Sequence, residues 1–406
     1  MKLKIKLLIS LLIITLITGC SIDTTKKVSK EEDIYSYLKN NHSLIDVDSN
    51  DFTDLNMINT DGKKIILTGE NHGVKGNVKL RKKFLKYFKE KTDFKYYLCE
   101  ISFSTAYFIN KYLETGNEDI LKKVYAPLKG TYEWNKDNYN HWIKLFKYNK
   151  TLPKDRKIKV VGIDIEHQPI NAFRYMYSVL PKKKAPGKIN KILNEFNDIL
   201  SGKKKLDNEG LKEFCERLNN DIEKNKDVYK DYLKDDYFGF NLVNKNIIYR
   251  YEVYESNKFN VLRDEKMYEN FKKVYNNLND GKYFGQWGLN HIFQENQMDV
   301  NWLATFIDND DRFKNKVLSI AYVYDDSIYM EKRNGYSTEK IDTFNSNMDF
   351  GFIKNFTLLK LNSKGSPFKQ RNIWPFSHTE KGENPTTEYF QYLVVVKNAK
   401  PTEPLN

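Results

Sequence analysis

The sequence predicts an α/β fold, a central and mostly parallel sheet flanked by helices, with a large helical insertion between the third and fourth strands. Three observations carry this. Short apolar runs without polar alternation recur along the chain, helical stretches separate them, and the region from about 170 to 278 holds helical periodicity alone. Strands that are apolar on both faces belong to parallel sheets covered by helices on each side.

The first run is Lys64-Ile-Ile-Leu-Thr68, and the helix after it carries Leu80, Phe84, Leu85 and Phe88 on one face. The second, Tyr96-Tyr-Leu-Cys99, leads into a helix expected to take Ser104 as its N-cap, run to Leu113 and close at Gly116. Ile158-Lys-Val-Val161 is the third. In the insertion, Leu211, Phe214, Cys215, Leu218 and Ile222 fall at i, i+3, i+4, i+7 and i+11, which sets them on one helical face. Tyr283-Phe-Gly-Gln-Trp287 and the run from Lys316 to Val323 are the fourth and fifth strands. Phe356 to Leu361 and Tyr389 to Lys397 complete the set, as strands expected to be antiparallel at an edge. Cys99 and Cys215 are too few and too far apart for a disulfide framework, and both are expected to be buried thiols.

Residues 1–20, MKLKIKLLISLLIITLITGC, combine a basic start, a short apolar segment and small residues at a cut site. That is the pattern of a secretory signal peptide, and its apolar run is shorter than the ~20 residues that span a bilayer. The ending Ile17-Thr18-Gly19-Cys20 resembles a lipobox, whose cysteine receives a diacylglycerol; two acyl chains then suffice for stable anchoring. Membrane lipid attached through Cys20 is thus an expected partner, and the extracytoplasmic side of the cell membrane the expected location. Residues 21–32 read as a polar tether, and residues 33–406 as the α/β domain. The formal net charge is +13, and the mature chain keeps +10 once Lys2, Lys4 and Lys6 are removed. Such a surplus favours anionic lipids or cell-wall polymers. No nucleic-acid recognition motif accompanies it, and nucleic acid is not an expected partner.

In open parallel sheets, ligands bind beyond the C-terminal ends of the strands. There the first strand runs into Gly69-Glu70-Asn71-His72-Gly73, the second ends at Glu100, the third at Asp164 and the fourth near His291. Histidine titrates near neutrality and suits general-base work, while a carboxylate orients an imidazole or holds a shifted pKa. Glycines beside them allow close approach of backbone. His167, in Ile163-Asp-Ile-Glu-His-Gln-Pro169, is a further candidate for the same crevice. His42, His141 and His378 read as structural.

These segments resemble the erythromycin esterase family. The resemblance rests on LTGENHG at 67–73, LCE at 98–100, Trp134, Trp142 and Asn149 leading to Gly162-Ile163-Asp164, and Arg263, Asp264, Met267 and Asn270 before GQWGLNH at 285–291. It implies His72 as the base that activates water, Glu70 and Glu100 as positioning groups, and His291 as the group that polarises the substrate carbonyl. It also implies Arg263 and Asp264 lining the cleft near the bound substrate; Asp164, which could equally cap the following loop, and His167 are further substrate-binding candidates from their positions. One residue, Asn71, separates Glu70 from His72, where that family usually has two; the shorter motif is similar to the wider ChaN-like, Tiki-type haem-binding group. Gly288 stands where the family typically carries a further histidine, which argues against a macrolide substrate.

The expected function is therefore a membrane-anchored, esterase-like hydrolase acting on an ester or amide, either a small molecule or a cell-envelope component. The alternatives are a ligand-binding, haem-uptake-like protein and a non-catalytic surface lipoprotein of the same fold. Glu70, His72, Glu100 and His291 are also metal-competent, so a divalent ion or haem stands as an alternative cofactor.

Overall fold

The computed structural model describes residues 22–405 other than 298 and 333–335, so the signal segment 1–20 and the lipobox Cys20 lie outside the described residues. Its strands, in chain order, are β1 (His42–Leu44), β2 (Ile65–Glu70), β3 (Tyr96–Ser102), β4 (Lys159–Asp164), β5 (Tyr283–Gly288), β6 (Val317–Asp325), β7 (Ser327–Glu331), β8 (Ser337–Ile341), β9 (Thr357–Lys360) and β10 (Tyr392–Lys397). Eight form one sheet in the order β1-β9-β10-β6-β2-β5-β3-β4, and β7 and β8 form a separate hairpin.

The sheet is parallel from β10 through β4, and antiparallel where β9 pairs with β10 and with β1. The two last strands are therefore not alike. β9 is antiparallel as expected, whereas β10 also pairs in parallel with β6. β2 sits centrally, with β5 on one side and β6 on the other. The chain winds outward from β2 on one side, then returns to insert β5, and that reversal opens a crevice at the strand ends.

Burial on both sides follows from the two-residue period of a strand. Ile66, Tyr97, Val160 and Phe284 enter one core with the helix Lys75–Thr92, whose Leu80, Phe84, Leu85 and Phe88 face it. Ile65, Leu67, Leu98 and Val161 enter the other, against the helices Phe259–Asn276 and Leu303–Asp308. Each fully buried side chain of this size contributes about 1.5–3 kcal/mol.

Between β4 and β5 lie the helices Pro169–Ser178, Gly187–Leu200, Asn208–Lys224, Lys226–Leu233, Tyr237–Glu255 and Phe259–Asn276. The first five build a third core, in which Phe214, Cys215, Leu218 and Ile222 are wholly buried. Cys99 is buried too, and both thiols are free.

Most of the segment read as a tether lies in one helix, Ile22–Asn40, and the absence of Gly or Pro from it leaves nothing to break the turn. One expectation is corrected. The helix after β3 spans Phe103–Thr115 and is capped by Ser102, whose hydroxyl accepts from the Thr105 N–H, while Gly116 closes it as expected. Ser104 instead donates to buried Glu166 from Oγ at 2.6 Å and from its backbone N–H at 3.1 Å. Among the described residues no helix is long and apolar enough to cross a membrane.

Candidate active site

Each strand of the crevice delivers its side chain through a local device. β2 ends at Glu70, and the loop beyond it turns at Gly73, whose φ of +85° suits glycine. β3 changes register against β4 between Cys99 and Ser102, and such a bulge re-aims the residues within it, here Glu100. The bulge presses on β4 at Gly162, where a Cβ would lie 2.2 Å from the Ser102 carbonyl oxygen. That contact explains the glycine two residues before Asp164. After β5, a short 3-10 turn, Leu289–Ile292, brings His291 back under the strand ends.

The site residues join into one network. His72 Nδ1 lies 3.0 Å from Glu70 Oε1, and the other Glu70 oxygen accepts from the Gln286 amide. Glu100 Oε2 accepts from the Gly288 N–H at 2.7 Å, and its Oε1 from Arg263 Nη2 at 2.8 Å. Arg263 also clamps Asp164, with Nε 3.1 Å from Oδ1 and Nη2 2.6 Å from Oδ2. Asp164 further accepts from His167 Nε2 at 3.1 Å and from the Ile165 N–H at 2.8 Å, so it caps the loop and holds the arginine at once. His291 donates from Nδ1 to Asp264 Oδ1 at 2.8 Å, and its Nε2 stands 3.5 Å from Glu100 Oε1. Asp264 is completely buried and also receives the Leu303 N–H at 2.7 Å.

Charge follows from these contacts. Burial disfavours a charged His291, but Asp264 and Glu100 outweigh it and push its pKa up to about 10. Burial likewise opposes ionisation of Glu100, yet His291 and Arg263 hold it well below the usual carboxylate range. Asp164 is lowered by Arg263 and His167 against its own desolvation. For His72, desolvation is overcome by the Glu70 hydrogen bond and by the charges of Glu100, Glu70 and Glu133, so its pKa lies above the ordinary 6.5. Its side chain remains 41% exposed at the crevice mouth.

One point in space matters most. A Cβ placed on Gly288 would sit 3.3 Å from His291 Cδ2, 3.4 Å from Glu100 Oε2 and 3.5 Å from His72 Nε2. His72, Glu100 and His291 thus surround a spot that the glycine leaves open to the crevice. The cavity above has a volume of about 600 Å³, and its walls include Glu70, His72, Tyr132, Asn260, Gly288, His291, Trp302 and residues of the β7–β8 hairpin. That volume is typical of small-molecule sites. Glu100, Asp164, His167, Arg263 and Asp264 lie outside this lining, Glu100 directly beneath Gly288 and the others in the layer that holds Glu100 and His291.

Among the described residues no three His, Cys, Asp or Glu side chains converge to hold a metal ion. The reason is visible in the contacts. Asp264 engages His291 Nδ1, Arg263 Nη1 at 3.2 Å and Glu100 Oε1 at 3.5 Å face its Nε2, and Arg263 also occupies Glu100.

Sequence reasoning missed several members. Gln286, the one long polar side chain inside the apolar run of β5, was a detectable signal. His378, read as structural, lines the cavity. Tyr132, whose ring centroid lies 5.8 Å from that of His72, and the β7–β8 hairpin gave no pattern to find. Glu133 lies behind His72, and burial together with the charge of Glu70 raises its pKa against the pull of Arg81.

The fold is an erythromycin-esterase-like α/β architecture. Erythromycin esterase EreC, solved as a histidine-to-asparagine mutant in its open conformation, aligns over 90% of this chain and 99% of its own, with 14% identity and a TM-score of 0.66. A succinoglycan biosynthesis protein aligns over 93% and 99% with 15% identity and a TM-score of 0.70. A Bacillus cereus protein aligns over 92% and 99% with 16% identity and a TM-score of 0.68. ChaN of Campylobacter jejuni, which binds heme cofacially, reaches a TM-score of 0.32 over 74% of this chain, a level that does not establish a common fold. No protein-family model matches the sequence, and no curated protein matches it. The resemblance read from the motifs is therefore matched at the level of fold, and fold alone does not assign function.

Proposed function

We propose that the crevice is a hydrolytic site in which His72 activates water for attack on an ester or amide carbonyl. The observation that carries this reading is the convergence of His72 Nε2, Glu100 Oε2 and the His291 ring on the bare α-carbon of Gly288, where a methyl would meet all three at 3.3–3.5 Å. Glu70 takes the Nδ1 hydrogen of His72, which leaves the Nε2 lone pair as base. A water held between His72 and Glu100, in front of the Gly288 α-carbon, donates one hydrogen to Nε2 and the other to Glu100, and turns its lone pair toward the cavity. As the proton passes to His72, the imidazolium forms between two carboxylates that stabilise it. Arg263 and His291 keep Glu100 ionised and oriented, so they act through Glu100 as positioning residues. We further propose that Cys20 tethers this domain to the outer face of the membrane, on the strength of the signal-like residues 1–20; retention of a Cys20→Ala variant in the membrane fraction would reject that tether.

The test uses the chain from residue 21 with a panel of aryl esters, lactones and short peptides. A turned-over substrate is expected to lose on the order of 10²–10⁴-fold in kcat/KM in His72→Ala, with the melting temperature retained. Equal turnover in His72→Ala and wild type removes His72 from the mechanism.

A further inference from the structure

A second cavity, of about 660 Å³, lies between the helices Lys75–Thr92 and Lys136–Thr151 and shares no lining residue with the crevice. Lys75, Lys79, Lys82 and Lys86 follow one another at i, i+4, i+7 and i+11, which puts them on a single helical face. Lys144 and Lys147 line it from the facing helix. Two acids line it, and both are already engaged. Asp137 lies 3.6 Å from Lys75, which also binds Glu403 at 2.8 Å, and Asp48 lies 3.1 Å from Lys79. Lys82, Lys86, Lys144 and Lys147 have no ion-pair partner within 4 Å among the described residues. Lys86 responds to this crowding: desolvation and the charge of Lys82 both lower its pKa.

Like charges at i,i+4 on one helix face repel, and a surface built only for solubility intersperses the two signs. Here the cations also rim an apolar floor of Val78, Leu85, Leu145 and Tyr148. Leu85 and Leu145 are almost fully buried beneath it. A concave apolar site with a few convergent charges is the form of a ligand pocket, and cations alone would suit a simple anion equally on a flat surface. We propose that this groove binds an amphipathic anion, an apolar body that carries a phosphate group, with the apolar part on the Leu85–Leu145 floor and the phosphate between the two lysine rows. The lysines act as point charges toward the phosphate.

Calorimetric titration of the chain from residue 21, which contains every described element, tests this with dihexanoyl phosphatidate below its micellar concentration. Saturable binding is expected, at least tenfold weaker in the Lys82→Gln/Lys144→Gln/Lys147→Gln variant, whose lysines are peripheral to both cores and whose ester turnover stays at the wild-type level. Dihexanoyl phosphatidylcholine and inorganic phosphate are each expected to bind at least tenfold more weakly than the phosphatidate. Equal binding of the phosphatidylcholine overturns the role of charge, and equal binding of inorganic phosphate overturns the role of the apolar floor. Binding of long-chain polyphosphate without the phosphatidate points to a polymer and rejects the proposal, as does no binding at all.

Discussion

His72 can serve as a base because Glu70 decides which of its nitrogens holds the hydrogen. The same carboxylate, with Glu100 and Glu133, raises the imidazole pKa above 6.5. A base must be deprotonated to act, so kcat/KM is expected to rise with pH through a midpoint above 6.5. Glu70→Gln removes one charge and the oriented hydrogen bond, so that midpoint should move down while the plateau falls. A pH–rate profile with an unmoved midpoint would separate His72 from the titration. Gly288 makes the second residue-scale case. Its φ of −54° is open to any residue, so Ala is not excluded by the backbone. Its new methyl would stand 3.3–3.5 Å from three side chains and crowd the water held by His72 and Glu100. Gly288→Ala should therefore lose on the order of 10²-fold in kcat with little change in melting temperature, and a variant as active as wild type would place the water elsewhere.

Among the elements, the β7–β8 hairpin forms one wall of the crevice. It is held where the Met330 N–H donates to the Gly73 carbonyl at 2.9 Å, close enough that a Cβ on Gly73 would meet the Met330 oxygen at 2.6 Å. The φ of +85° adds strain for any L side chain. Gly73→Ala is expected to cost about 1–3 kcal/mol and to lower kcat/KM by shifting Tyr329 and Lys340 away from the cavity. Full activity with an unchanged melting temperature would dissociate the hairpin from the site. The glycines around His72 were legible as places of close approach, yet the partner is this hairpin. Strands β2 to β6 were legible because apolar runs end abruptly on a polar residue. Ser327–Ile341 mixes Tyr, Lys, Glu and Thr without such a boundary, and its meaning lies in what it docks against. The Ser104 cap failed for a related reason: the bulge at Glu100 moved the strand end to Ser102, and a bulge leaves no local mark in the sequence.

At the scale of the whole molecule, Arg263 and Asp264 join the helical region to the sheet. They lie on the helix Phe259–Asn276 and reach Glu100 at the end of β3, Asp164 at the end of β4 and His291 after β5. Sequence order could bring these residues to one crevice, but it could not tell a substrate-facing arginine from one that locks the carboxylates in place. The lock makes stability depend on pH in a defined sense. His291 has a folded pKa of about 10 against an ordinary 6.5. Its contribution is fully present below 6.5 and is lost as pH rises toward 10. Glu100 and Asp164 are shifted down, so their contribution is present above their ordinary values of 4.5 and 3.8 and is lost as pH falls below them. Urea midpoints should accordingly be highest near pH 5–6.5 and fall on both sides, with the alkaline fall due to His291. His291→Gln should flatten the alkaline limb. Asp264→Asn leaves a buried imidazolium without its main counter-charge and should cost about 3–5 kcal/mol near neutrality, with the loss shrinking as pH approaches 10. An alkaline limb that persists unchanged in His291→Gln would show that the joint between helices and sheet does not titrate through this histidine.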